Sequence, residues 1–323
     1  MRLIDGFVTT QLIYVAAKLG VPDVLADGPR TGAEIADAVG ADRDALVRVL
    51  RGLVTDEVLA EADDDRFALT PLGGCLRSMH GAALARGDVY YDAAAGLLAT
   101  VREGGTAFEH VHGEHFFDHL ARHPEREAAF QESMAARSEQ EARDVVAAYD
   151  FAGVRRLVDV GGGRGVLLAE FLRAEPTMHG VLTDREAAIP AARTYLAEAG
   201  VGDRAECVAV DFFEAVPAGA DVYVLSRVIH DWDDDDAQRI LATCRQAMSP
   251  ESRLLVIDAI LPERALDRPA AIRMDLHMLL LLGARERTEA EFRRLLEPVG
   301  FRVGRVVMTA SVAGLGIIEA ARA

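Results

Sequence analysis

The sequence predicts an α/β protein in two parts: a mainly helical part over residues 1–150 and an open, seven-stranded, mostly parallel sheet over residues 151–323. Three observations carry this. From Arg156 onward, short apolar runs alternate with helical or turn segments, the pattern of βαβ units whose sheet is buried on both faces. Before that point the apolar residues recur at helical spacing. The last two runs, "FRVGRVVMT" and "LGIIEAAR", are joined by a loop too short for a crossover, so they pair antiparallel.

Taken in order, "TTQLIYVAAKLGVPDVLA" reads as one amphipathic and strongly apolar helix that could bury a face against a partner chain. "TGAEIADAVG" opens with a capping box, Thr31 with Glu34, and closes on Gly40. In the next helix Leu46, Val49, Leu50 and Leu53 share one buried face. "VLAEADDDRFALTP" then gives two short strands joined by an Asp-rich turn, with Pro71 ending the second. Two helices and a hairpin wing make a winged helix-turn-helix. Such a unit often binds DNA, but residues 1–80 carry 8 Lys and Arg against 13 Asp and Glu. The formal charge of -17 on the whole chain argues against nucleic acid as a partner, because cationic contacts to phosphate supply most of that affinity. Residues 85–150 read as mainly helical, "AAFQESMAARSEQEARDVVAAYDF" being the longest helix. The runs "RLVDVG", "GVLTD", "AECVAVD", "ADVYVLSRV" and "RLLVIDAI" follow as parallel strands.

Cys75, Cys207 and Cys244 form no CxxC and no zinc spacing, and read as buried thiols in a reducing compartment. The N-terminus lacks a signal-peptide core, and "MLLLLG" is too short to span a bilayer. A cytoplasmic protein without membrane contact is the expectation.

The stretch "LVDVGGGRGVLLAEFL" places a glycine-rich turn between the first parallel strand and its helix, the position where open parallel sheets hold ligands. The sixth position of a dinucleotide fingerprint is Val166, so a nicotinamide site matches poorly; the pattern is GxGxG through Gly161, Gly163 and Gly165. Glycines there can also serve close packing alone. Asp184 ends the second strand, where a carboxylate can accept from both ribose hydroxyls. Asp211 and Phe212 follow the third, an acceptor beside an aromatic face, suited to an adenine. Three successive strand ends therefore suit one adenosine.

"LVDVGGGRG", "DFFEAVP", "SRVIHDWDDDDA", "LLVIDAILP" and "GARERTEAEFRRLL" together resemble, in order and over essentially the whole chain, a specific family. It is the S-adenosylmethionine-dependent O-methyltransferases of the caffeate type and their bacterial antibiotic-pathway relatives. The resemblance implies a winged-helix dimerisation domain joined to a seven-stranded Rossmann-like catalytic domain, a homodimer, a small aromatic hydroxyl acceptor and no metal. It implies that Gly161, Gly163, Asp184, Asp211, Phe212, Ser226 and Ser138 surround the cofactor. His230 corresponds to the family's general base, Glu286 to one carboxylate that orients it, and Asp258 to the other, where plant members carry a glutamate. Phe130, Met134, His277 and Met278 correspond to acceptor-pocket positions; for Phe130 and Met134 ordinary core packing explains the residue types as well. Asp231 and the run Asp233 to Asp236 read as helix capping and dipole compensation. Ser226 stands where the plant motif has a lysine, and Arg185 follows the ribose acid where the usual motif is Asp-Leu-Pro. Rival readings are a relative that turned to hydroxylation or decarboxylation, an N-methyltransferase, and a small-molecule-sensing regulator.

Overall fold

A computed structural model of the chain describes residues 3–62, 64–311 and 313–323, with Ala136 described by its backbone alone. Two compact units divide at Ala136/Arg137. The division falls inside the helix Pro124–Ala148, whereas the change in sequence pattern lies at 150/151, because one continuous helix contributes to both units.

In the first unit the expected single N-terminal helix is two, Gly6–Lys18 and Val21–Val24. Gly20 breaks it at φ +73°, a left-handed conformation that an L side chain resists. Helix Gly32–Val39 begins with the Thr31/Glu34 capping box and ends at Gly40, also left-handed. Helix Arg43–Thr55 is capped by Asp42 and buries Leu46, Leu50 and Leu53; Val49 sits half-buried at the edge of that face. The wing has three strands, β1 (Arg30–Thr31), β2 (Leu59–Glu61) and β3 (Arg66–Leu69), in the order β1-β3-β2. Two residues are too short a run to show in a sequence pattern, so β1 was not foreseen. The β2–β3 turn includes Asp63, which lies outside the described residues. Ile35, Leu50, Leu53 and Phe67 form the core between helices and wing.

The second unit carries β4 (Arg156–Val160), β5 (His179–Asp184), β6 (Ala205–Ala209), β7 (Val222–Ser226), β8 (Arg253–Leu261), β9 (Arg287–Thr288), β10 (Phe301–Met308) and β11 (Leu315–Arg322). Their order is β10-β11-β8-β7-β4-β5-β6, with β9 alongside β8. The seven longer strands match the seven expected, and the β10–β11 pair is antiparallel. β9 is a short addition. Strands β4 to β8 are parallel, and β4 lies between β5 and β7, so the chain order reverses there. Two cores cover the two faces: Val158, Tyr223, Ile240 and Leu296 on one, Leu157, Phe171, Leu182 and Ile257 on the other.

The cysteines depart from expectation. All are free, but only Cys244 is buried; Cys207 is half-buried on the edge strand β6, and Cys75 is exposed on helix Pro71–Ser78. No helix among the described residues is long and apolar enough to cross a membrane.

Candidate active site

The parallel register brings the strand ends together: Val160 of β4 aligns with Thr183 of β5 and Leu225 of β7, and Asp184 aligns with Ala209 of β6. The glycine turn, Asp184, Asp211 and Ser226 thus collect along one edge of the sheet at the strand-order switch, where an open sheet leaves a crevice. Gly161, Gly163 and Gly165 have φ of +71°, +56° and +84°, which a side chain would strain. A Cβ on Gly161 would lie 2.9 Å from Val228 and 3.6 Å from the Phe212 ring. The turn is tied down by Gly161 N–H to Thr183 O (2.8 Å) and Gly163 N–H to Asp184 Oδ2 (2.9 Å). Asp184 also accepts from the Arg185 backbone (2.7 Å), while the Arg185 side chain is exposed. Asp211 is exposed and accepts from Phe213 N–H; Phe212 is half-buried, its ring 6.0 Å from Trp232. This edge fits an adenosyl group: glycine backbone that a ligand can approach, two carboxylates, and an aromatic face.

Beyond β7 the chain turns through a short 3-10 helix, Ile229–Asp231, which places His230 at 8 % exposure. The turn is pinned from the segment leading into β9. Arg287, 1 % exposed, donates to Ile229 O (3.0 Å) and Trp232 O (2.8 Å), and Arg285 N–H donates to His230 O (3.2 Å). The same segment delivers Glu286. Its Oε1 lies 3.1 Å from His230 Nδ1, and its backbone N–H is held by Asp275 (2.9 Å). Nδ1–H donating to the carboxylate leaves Nε2 with its lone pair free to accept a proton.

Asp258, in β8, is fully buried, and neither of its carboxylate oxygens has a hydrogen-bond partner among the described residues. One ring nitrogen of His230 and one carboxylate oxygen each of Asp258 and Glu286 lie within 4.8 Å of one another. Burial pushes the Asp258 carboxyl up to about 7, with Glu286 adding to the rise and His230 and Arg227 opposing it. For His230, burial opposes the charged ring, but Asp258, Glu286 and Asp231 outweigh it and raise its pKa above the usual 6.5.

Three neighbours were not foreseen. Asp231 does not cap a helix: its Oδ1 is 3.5 Å from His230 Nε2, and burial raises its own pKa. Capping of helix Asp234–Ala247 falls to Asp233, while Asp234 and Asp236 pair with Arg287 and Arg239. Arg227 contacts both Glu141 and Glu286. Asp231 was legible only as part of an acidic run. Nothing in the local pattern marks Glu141 or Arg227.

The remaining expected residues are distributed over both units. Phe130 is buried against Phe116 (5.1 Å between ring centres) in the first, where Met134 is half-buried. In the second, Ser138 is exposed on helix Pro124–Ala148, Ser226 is half-buried at the end of β7, and helix Pro269–Leu281 carries half-buried His277 and buried Met278.

Comparison with known proteins agrees with this geometry. The profile of the O-methyltransferase domain matches residues 95–302, and that of the O-methyltransferase dimerisation domain matches residues 1–78. The chain is 44% identical over 326 residues to the phenazine O-methyltransferase PhzM of Lysobacter antibioticus, covering 99% of this chain and 94% of the relative. It is 39% identical over 303 residues to the 8-amino-8-demethylriboflavin N,N-dimethyltransferase of Streptomyces davaonensis, covering 90% and 86%. Among solved structures, the O-methyltransferase NcsB1 from neocarzinostatin biosynthesis, in complex with S-adenosylmethionine and 2-hydroxy-5-methyl naphthoic acid, superimposes with a TM-score of 0.80 at 34% identity, covering 98% of this chain and 96% of that one. The strand-end crevice, the buried His230–Glu286 pair and these matches along the whole chain agree: it belongs to the O-methyltransferase family, with a dimerisation domain at its N-terminus.

Proposed function

We propose that the protein transfers a methyl group from S-adenosylmethionine to a phenolic or other aromatic hydroxyl of a secondary metabolite, with His230 as general base and no metal ion. The observation that carries this reading is the buried His230 with Nδ1 3.1 Å from Glu286 Oε1, the pairing that orients a general base. The S-adenosylmethionine and naphthoic acid in the NcsB1 complex support the choice of donor and acceptor class. In this reading residues 1–150 form the dimerisation and linker region of a homodimer, and residues 151–323 hold the cofactor and the base.

When bound, the cofactor supplies a methyl group on a cationic sulfur, already electrophilic. Gly161, Gly163 and Ser138 would hold its methionine end, Asp184 its ribose, and Asp211 with Phe212 its adenine; Ser226 lies at the same strand edge. Phe130 and Met134 in the first unit, and His277 and Met278 in the second, are the proposed acceptor-binding residues. A phenol with pKa about 10 is a weak nucleophile at neutral pH, so the chain must take its proton. His230 Nε2 would accept that proton, and Glu286, Asp258 and Asp231 would stabilise the imidazolium that forms. General-base help is worth about 10²- to 10⁴-fold, and alignment of oxygen with the methyl carbon supplies much of the remainder.

Calorimetric titration with S-adenosylhomocysteine, with NADH as control, followed by transfer of labelled methyl to a panel of phenols, tests this. Saturable binding of the first ligand alone and label on oxygen are expected. His230→Ala keeps cofactor affinity and slows transfer by about 10²- to 10⁴-fold; loss of affinity together with rate would make His230 a structural residue. The N,N-dimethyltransferase relative favours a second reading, methylation of an aromatic amine, which label on nitrogen would establish.

A further inference from the structure

We propose that Arg227 is a positioning residue for methyl transfer, its guanidinium braced on Glu141 so that it holds the Glu286 carboxylate where it orients the His230 ring. The inference rests on His230 acting as the base.

Arg227 follows the last residue of β7 and takes φ +57°, a left-handed backbone that a residue with a side chain adopts at a cost. Its N–H is tied to Ile257 O of β8 (3.0 Å), so the conformation is held by the neighbouring strand. That bend directs a half-buried guanidinium at two carboxylates. Nη2 meets Glu141 Oε1 at 2.5 Å and Nε meets Oε2 at 3.3 Å, a fork-to-fork pair; Nη1 reaches Glu286 Oε1 at 3.4 Å. Glu286 Oε1 is the atom bonded to His230 Nδ1. One oxygen therefore receives the arginine on one side and the histidine on the other.

The charge of Glu286 needs this. Its side chain is wholly buried, and Oε2 has no hydrogen-bond partner among the described residues. A buried carboxylate with one histidine partner, itself facing Asp258 and Asp231, sits in an excess of negative charge. Arg227 supplies the compensating cation. Glu141 in turn is clamped by Arg227 and by Arg137 (2.9 Å), and these two cations hold its carboxyl below the ordinary range against the effect of burial. Arg137, Glu141, Arg227, Glu286 and His230 thus form one alternating chain of charges, with Asp258, Asp231 and Asp275 as the other titratable groups facing it. A lysine at 227 would keep the charge and lose the fork.

The test is a double-mutant cycle in kcat with Arg227→Met, Glu286→Gln and the pair, each with a pH profile and a titration with S-adenosylhomocysteine. Arg227→Met should lower kcat by about 10- to 100-fold and move the acidic midpoint of the kcat profile upward, because His230 then faces uncompensated carboxylates. In the Glu286→Gln background the same substitution should change kcat less than about threefold, since its route of action is already gone. Arg227→Lys should restore the midpoint and only part of the rate. S-adenosylhomocysteine affinity should hold in all four variants. Effects that multiply, or an unmoved midpoint, would overturn the assignment. Should Arg227→Met fail to fold, Glu141→Gln removes the brace and keeps the cation; a kcat drop at constant KM is expected, and unchanged kcat would again overturn the proposal. Absence of methyl transfer by the unaltered protein would overturn the proposed function and this inference with it, whereas transfer by the unaltered protein with any of the contrary variant results above would overturn this inference alone.

Discussion

His230 works in a site whose acids differ in role because their surroundings differ. Glu286 bonds the ring directly, while Asp258 is close, buried and without a side-chain hydrogen bond among the described residues. Its influence is therefore electrostatic. With the pKa of His230 raised above 6.5, the neutral base is depleted as pH falls, so kcat should rise with pH through a midpoint above that value. Asp258→Asn removes one of the charges responsible and should lower the midpoint. A kcat profile from pH 5 to 9 on both proteins checks this, and coincident midpoints would leave Asp258 without a part in tuning the base. The "IHDW" and "RERT" segments made His230 and Glu286 legible. Asp231 was misassigned because its place in an acidic run suggests capping, and only the 3-10 turn after β7 brings its carboxylate to Nε2.

The strand β4 and its glycine turn show how an element can be built around ligand approach at a cost in stability. Asp159 of β4 is 1 % exposed, Oδ2 has no partner among the described residues, and a Cβ on Gly162 would lie 2.6 Å from that oxygen. Burial, then the charge of Asp184, pushes its carboxyl up to about 7. A folded-state pKa above the unfolded value stabilises the fold at low pH, and the contribution is lost as pH rises through 7. Relative to Asp159→Asn, the unaltered protein should lose roughly 1.4 kcal/mol for each pH unit between about 4 and 7. Comparing the two Tm values at pH 5 and pH 8 tests this: the difference should shift in favour of the asparagine variant, and a constant difference would mean that Asp159 is not held protonated. The main strands were legible because apolar runs bounded by turns are local signals. β1 and β9, two residues each, were not.

For the molecule as a whole, the N-terminal segment leaves Leu3, Ile4, Phe7 and Val8 exposed within the region matched by the dimerisation domain. An apolar surface of this kind suits a partner chain. Light scattering should give the mass of a dimer, and Ile4→Asp with Phe7→Asp should shift it toward monomer; a monomeric unaltered protein would end the homodimer reading. Periodicity, caps and glycine placement settled the α/β class, the order of the strands along the chain and the glycine turn after β4, because each depends on residues close in sequence. The ordering of strands across the sheet, the approach of Glu286 to His230 from a segment 56 residues away, and the Arg137–Glu141–Arg227 chain depend on long-range packing. A buried charge network is held by partners that have no fixed spacing in sequence, so it comes into being only when the strands and helices that carry them have docked.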